Sequence, residues 1–171
     1  GDLPTGDLSL RQRGSGWQGT LALQSYDARG GSFAIPALAF SSEAGGTWRF
    51  SGQATMTGPL LGGRISGLSL PVSGTFAGGV LAMNGSCTDV RYQGLETGAL
   101  RLPAGRLRAC PERGSMLRVG GGQTKFALNI PKLSVAGTLG SSPLRASGSA
   151  ISFDLDRGFA ANQVAVDLGV S

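Results

Sequence analysis

Residues 47–84 read TWRFSGQATMTGPLLGGRISGLSLPVSGTFAGGVLAMN, and this stretch decides the fold class. Apolar Trp48 and Phe50 alternate with polar Arg49 and Ser51, and the alternation continues through the next six residues. A period of two is typical of a β-strand with one apolar and one polar face, because successive side chains point to opposite sides. The stretch therefore begins with a predicted strand.

Turn signals divide the same stretch. Gly58-Pro59 ends the first strand, because proline lacks an N–H donor and glycine allows positive φ. A second run starts at Arg64 and is expected to end at Gly74. A third ends at Asn84-Gly85, a pair typical of a two-residue β-hairpin turn. We therefore expect strand, turn, strand, turn, strand.

The rest of the chain repeats this pattern and predicts about a dozen short strands, an all-β arrangement. Leu38 and Phe40 are out of phase with Phe33 and Ile35, so Pro36 is expected to mark a bulge, an edge or a bend. No segment shows a clear helical period. Residues 1–171 are expected to form a single all-β domain.

Composition supports a folded sheet. The chain has 171 residues, of which 30 are glycine, 40% are hydrophobic and only 15% are charged. The hydrophobic content is enough to bury a core, so disorder is not expected. The glycine content, more than twice the average of about 7%, suits a long sheet with many turns.

The basic net charge does not indicate a nucleic-acid partner. The net charge is +5, and Lys125 and Lys132 are the only two lysines, so 13 of the 15 basic residues are arginine. These arginines are scattered, and none forms the run interleaved with aromatic residues that a single-strand binder needs. We therefore expect no nucleic-acid partner.

The chemistry of the chain does not indicate an enzyme. There is no histidine, so a Ser-His-Asp triad is excluded, as is the commonest metal ligand. The glycines at 120–122 lack the Lys-Ser/Thr of a phosphate loop. Asp154 and Asp156 are interpreted as the outer face of a strand rather than a catalytic pair. We expect no catalysis, no cofactor and no metal.

Cys87 and Cys110 are the only cysteines, and their spacing does not suggest a metal site. An even pair in a strand-rich chain is compatible with one disulfide in an oxidising compartment. Two buried free thiols are the alternative. The sequence has no signal peptide and no apolar run of 18 residues.

Nearly every predicted strand has one aliphatic face, and no helix is predicted to cover it. Such a sheet can close as a sandwich or barrel, wind as a β-helix, or curl into a groove filled by lipid. The same residues suit all of these, so composition does not choose among them.

Several phrases of the sequence resemble a known family. They are GPLLGGRISGLSLPVSG at 58–74, NGSC at 84–87, LRLPAGRLRACP at 100–111 and SPLRA at 142–146. The first is similar to repeats of AsmA-like proteins, and the others resemble the YdbH-type branch of this intermembrane phospholipid transport family. The resemblance covers about residues 47–147.

The resemblance implies an elongated, strongly curved antiparallel sheet with a groove for phospholipid. It implies a fragment of a larger envelope-spanning protein, periplasmic, anchored in the inner membrane through the parent protein, with an outer-membrane lipoprotein as candidate partner. The branch also carries a dicarboxylate transport label. Residues 1–171 are far shorter than a full bridge and include no recognisable anchor segment, so an excised segment or a short relative is expected.

On this interpretation the groove is lined by in-phase apolar residues that would contact acyl chains. They are Trp48, Phe50, Met56, Leu68, Leu70, Val72, Phe126, Leu128, Ile130, Leu133, Val135, Ile151, Phe153 and Leu155. Arg49 and Arg64 would lie on the outer face or rim, near phosphate head groups. A bond between Cys87 and Cys110 would join neighbouring strands.

Two other functions remain as alternatives. A structural or adhesin-type module would use the aliphatic faces as a closed core, with a β-sandwich or β-helix fold and no lipid. A sugar- or polyanion-binding domain would need Trp17, Trp48, Tyr26 and Tyr92 to meet on one surface.

Overall fold

A computed structural model describes residues 5–28, 30–43, 45–60 and 62–169, and these form one antiparallel sheet without helix. The all-β prediction is confirmed. The strands are β1 (Gly6–Arg13), β2 (Gly16–Ala28), β3 (Gly31–Ser42), β4 (Trp48–Leu60), β5 (Gly63–Ala77), β6 (Val80–Met83), β7 (Thr88–Thr97), β8 (Leu100–Pro111), β9 (Leu117–Gly120), β10 (Gln123–Leu139), β11 (Ser142–Asp154) and β12 (Gly158–Leu168). A single sheet with antiparallel pairing is neither a sandwich nor a β-helix.

The topology is a meander with two interrupted strands in its centre. Strands β1 to β5 and β10 to β12 each pair with the next strand along the chain. Between β5 and β10, the short strands β6 and β9 fill one end of the sheet, and β7 and β8 fill the other. The sheet is therefore ten strand positions wide.

The predicted hairpin at Asn84-Gly85 is wrong. Asn84 does have a positive φ of 52°, but the chain continues beside β5 instead of turning back. Asn84 donates its backbone N–H to the Ser73 carbonyl at 2.7 Å, which keeps it in the ladder. The chain turns earlier, at Gly78-Gly79, where both glycines have positive φ.

The predicted turn at Gly74 is also wrong, because Gly74 lies inside β5. It is directly opposite Phe50 of β4, and a Cβ at Gly74 would lie 2.7 Å from Cζ of that ring. The glycine therefore makes room for a ring of the neighbouring strand. Sequence alone does not distinguish this role from a turn.

The predicted irregularity at Pro36 is confirmed as a register shift between Ala34 and Ala37. Further register shifts interrupt the pairing of β2 with β3, β4 with β5 and β11 with β12. In β5, Gly67 has a φ of 56°, so Ile65 and Leu68 reach the same face although they are three residues apart. Bulges of this kind keep the apolar pattern on one side.

Among the described residues, each strand approaches only the strands to which it is hydrogen-bonded. Within this part of the chain, no second layer of structure covers either face of the sheet. No large side chain in this part of the chain is fully buried. The most buried apolar residues are Ala54, Ile65, Val72, Ala109, Met116, Leu144 and Ile151.

Candidate functional site

A row of apolar residues crosses the sheet from β1 to β10. Residues that lie directly opposite each other in an antiparallel pair share a face. Following these pairs across eight strands gives Leu10, Gly19, Phe40, Phe50, Gly74, Met83, Leu117 and Phe126. No member of this row is polar, so one face of the sheet is continuously apolar there.

The predicted groove residues of β4, β5, β10 and β11 lie on this same apolar face. The β4 and β5 residues pair as Met56 with Leu68 and as Ala54 with Leu70. Leu128 and Ile130 follow Phe126 in phase and pair with Phe153 and Ile151 of β11. The rings of Phe126 and Phe153 meet edge to face, with centroids 5.9 Å apart. Trp48, Phe50 and Val72 complete the β4–β5 set.

Leu133 and Val135 reach the apolar face through a change of phase within β10. Phe126, Leu128 and Ile130 are half-buried at even positions, whereas Leu133 and Val135 are half-buried at odd positions, so the phase of the apolar residues shifts by one at Pro131. Pro131 stands opposite Ala150, which has a positive φ of 48°. Strand β10 nevertheless continues through Pro131 as one strand of 17 residues.

Leu155 is the exception among the predicted groove residues. Strand β11 ends at Asp154, and Leu155 begins the following turn with its side chain 55% exposed. Its backbone N–H still donates to the Phe126 carbonyl at 3.0 Å. Leu155 therefore lies at the rim of the apolar face rather than within it.

Several rings on the apolar face lie flat over glycines of the adjacent strand. A Cβ at Gly19 would meet Cζ of Phe40 at 2.6 Å, and one at Gly105 would meet the Tyr92 ring at 2.7 Å. Burial under this arrangement raises the pKa of the Tyr92 hydroxyl. Glycine at these positions leaves room for a ring of the adjacent strand.

Strands β1 to β3 extend the apolar face beyond the residues predicted to line a groove. Their apolar residues on this face are Leu8, Leu10, Trp17, Leu21, Leu23, Phe33, Ile35, Leu38 and Phe40. Phe76 of β5 was missed because a turn was expected at Gly74. Three of these rings remain about half exposed: Trp17 (41%), Phe33 (41%) and Phe76 (45%).

The opposite face is polar. The row next to the apolar one contains Arg11, Gln18, Ser41, Arg49, Thr75, Ala82, Arg118 and Lys125. Arg49 lies on this face, as expected, and pairs with Glu43 at 3.1 Å. Arg64 donates to the Gly30 carbonyl at 3.3 Å. The sheet therefore separates its charges from its apolar residues across one layer of backbone.

Cys87 and Cys110 form a disulfide in the structure. Thr88 pairs with Ala109, so the cysteines occupy the next opposed position of the β7–β8 hairpin. The bond lies on the polar face, where it closes the end of the hairpin beside the central interruption. The structure therefore has a disulfide rather than two free thiols.

Asp154 and Asp156 do not share a strand face, contrary to expectation. The Asp154 carboxylate accepts the backbone N–H groups of Asp156 and Arg157 at 2.8 and 3.0 Å and holds the turn after β11. The Arg157 guanidinium, 3.0 Å from Asp154 and 2.7 Å from Glu112, lowers the pKa of Asp154. These contacts give the carboxylate a structural role.

The four residues proposed for a sugar platform do not form one surface of their own. Ser42 of β3 lies between Trp17 of β2 and Trp48 of β4 and separates the two indole rings. Tyr26 lies opposite Phe33, and Tyr92 lies on β7 over Gly105. The rings are interleaved with aliphatic side chains as parts of the apolar face.

Within the described ranges, no three acidic or cysteine side chains come together as a metal-binding group. The same ranges contain no helix of the length and hydrophobicity needed to cross a membrane. No family model, curated protein or solved structure matches this chain.

Proposed function

We propose that the apolar face binds the acyl chains of a phospholipid, and that the chain is a segment of a periplasmic lipid-transfer protein acting between the inner and outer membranes. The observation that carries the proposal is the row from Leu10 to Phe126. It crosses eight strands without a polar residue, and no part of the described chain covers it.

The exposed area supports this proposal. A compact monomer of 17.3 kDa exposes about 7,800 Å². This chain exposes 11,038 Å². Contiguous apolar surfaces beyond a few hundred Å² are rare on soluble monomers and mark sites for ligands, partners or membranes. An acyl chain is a ligand that needs apolar area and few polar contacts.

A groove is supported by burial that a flat single layer does not explain. Ala54, Ile65 and Val72 are only 5–8% exposed, although no second layer covers them. Side chains that converge above these three residues, as on a concave face, would account for this burial. The register shifts in the middle of the strands favour the same curvature, since bulges bend and twist a sheet.

The disulfide is compatible with an oxidising compartment such as the periplasm. The family resemblance adds the expectation of an inner-membrane anchor and a lipoprotein partner in the parent protein. In a longer parent, the apolar face would be one part of a path along which lipid moves.

A pair of neighbouring substitutions tests the proposal. Phe76 lies on the apolar face of β5, and Thr75 points to the polar face one residue earlier. Phe76→Asp and Thr75→Asp therefore add the same charge on opposite sides of one strand. We expect native mass spectrometry to find phospholipid on the wild-type protein and on Thr75→Asp, and much less on Phe76→Asp.

Circular dichroism is the check that each variant is folded, and uptake of a fluorescent phospholipid is a second measurement of lipid binding. An apo mass for the wild-type protein, with no uptake of added lipid, would contradict lipid binding. It would favour a structural module whose apolar face is covered by another protein.

A further inference from the structure

The β7–β8 hairpin contains three directly opposed pairs of charged residues on the polar face. Two have opposite signs: Asp89 faces Arg108, and Glu96 faces Arg101. The third pair is Arg91 and Arg106, two cations. Like charges placed directly opposite each other in a sheet are unfavourable, so this pair is the exception in its own hairpin.

Neither Arg91 nor Arg106 forms an ion pair among the described residues. The nearest carboxylates on the same hairpin already face other arginines. Arg91 and Arg106 both line a depression of about 550 Å³, and no acidic residue lines it. The geometry leaves two cations beside an open space without a counter-charge.

Ser69 adds a hydroxyl donor to this depression. It lies opposite Arg91 on β5, and its Oγ accepts a hydrogen bond from the Gln53 side-chain amide. The Ser69 O–H is therefore free to donate elsewhere. Gln93 also lines the depression and packs its side chain over Gly67. Two guanidinium groups and a hydroxyl are donors suited to an oxyanion.

We propose that Arg91, Arg106 and Ser69 form a binding site for a phosphate-type oxyanion on the polar face. The disulfide supports the site, because Cys87 and Cys110 lie opposite each other in the same hairpin. Along the polar face from Arg91 and Arg106, the next opposed pair is Asp89 and Arg108, and the two cysteines form the pair after it. This covalent link keeps the two arginines opposed. The site is independent of the lipid-binding proposal, since it lies on the other side of the sheet.

A second pair of opposed cations provides the matched control. Arg118 of β9 faces Lys125 of β10, beside a depression of about 300 Å³. That depression is also lined by Glu112, Asp154 and Asp156, together with Arg113 and Arg157, so its cations have carboxylate counter-charges beside them, unlike Arg91 and Arg106. Substitution there removes the same charge from the same face without touching the proposed site.

The test is a titration with inorganic phosphate against chloride at constant ionic strength, followed by NMR of the arginine side chains and by thermal unfolding. We expect saturable phosphate binding to the wild-type protein, at least about tenfold weaker binding to Arg106→Gln, and unchanged binding to Arg118→Gln. In chloride, Arg106→Gln should melt at the wild-type temperature or above it, because a repulsion has been removed.

Two results would overturn the site. One is the absence of saturable binding to the wild-type protein. The other is an equal loss in Arg106→Gln and Arg118→Gln, which would mean that only net charge matters. Glycerol phosphate and dihexanoyl phosphatidate then distinguish the source of the anion. Equal affinities indicate a soluble phosphate compound, and much tighter binding of the phosphatidate indicates a lipid head group.

Discussion

Asn84 replaces a missing strand partner for Ser73. Its backbone N–H donates to the Ser73 carbonyl at 2.7 Å, and its side-chain Oδ1 accepts the Ser73 N–H at 2.9 Å. Its Nδ2 also donates to the Pro71 carbonyl at 3.1 Å, and its own carbonyl accepts the Met116 N–H at 3.1 Å. The only buried polar residue of the described chain therefore maintains the ladder where β6 gives way to β7.

Substitution of Asn84 should destabilise the sheet at this interruption. Asn84→Ala leaves the Ser73 N–H and the Pro71 carbonyl without partners, and we expect a loss of about 2–4 kcal/mol in the free energy of unfolding. Asn84→Asp keeps the acceptor for the Ser73 N–H but places a buried carboxylate against the Pro71 carbonyl oxygen, so it should also destabilise the protein. Urea denaturation measures both, and equal stability of Asn84→Ala and wild type would show that these bonds are dispensable.

Reduction of the disulfide should lower the thermal stability of the protein without unfolding the sheet. Closing a loop of 23 residues contributes about 3 kcal/mol in the chain-entropy picture. We expect a lower melting temperature with reductant and an unchanged far-ultraviolet circular dichroism spectrum at 25 °C. The double variant Cys87→Ser/Cys110→Ser is the control and should not respond to reductant. An unchanged wild-type melting curve after complete reduction would contradict this role.

Gly74→Ala should destabilise the protein although alanine is a small residue. The added Cβ would meet the Phe50 ring and the Ala82 carbonyl oxygen, so the backbone must shift. We expect a cost of about 1–3 kcal/mol, as for other overpacked sites. Thr75→Ala, on the polar face of the same strand, should change stability far less. Similar unfolding curves for the two variants would refute the packing of Phe50 over Gly74.

Acid should weaken the turn that Asp154 holds. The bonds from Arg157 and the two backbone N–H groups keep the pKa of Asp154 in the folded state below its ordinary value of about 3.9. The contribution of ionised Asp154 to the free energy of unfolding is therefore fully present above its ordinary pKa. It is lost as the pH falls through the lower pKa of the folded state. Melting temperatures between about pH 5 and pH 2 should fall more steeply for wild type than for Asp154→Asn. Parallel curves would rule out this contribution.

The alternation around Trp48 and Phe50 correctly predicted the strands and the apolar face, because side-chain direction in a strand depends only on local geometry. The phase change at Pro36 was predicted for the same reason. The roles of Gly74 and Asn84 were not predictable, since a glycine or a positive φ serves a turn and a close contact equally well. Leu155 was assigned to a strand because its parity continues that of Phe153, whereas Asp154 ends the strand through its side chain.

By itself, the sequence determined the all-β class, the position of most strands and the separation of apolar from polar faces, all of which follow from neighbours along the chain. Only the tertiary structure decided that one sheet forms, that its centre divides into two short and two long strands, and that Arg91 faces Arg106. Those features depend on the register between strands. Register is set by contacts such as Phe50 over Gly74 and Asn84 with Ser73, which join residues distant in sequence.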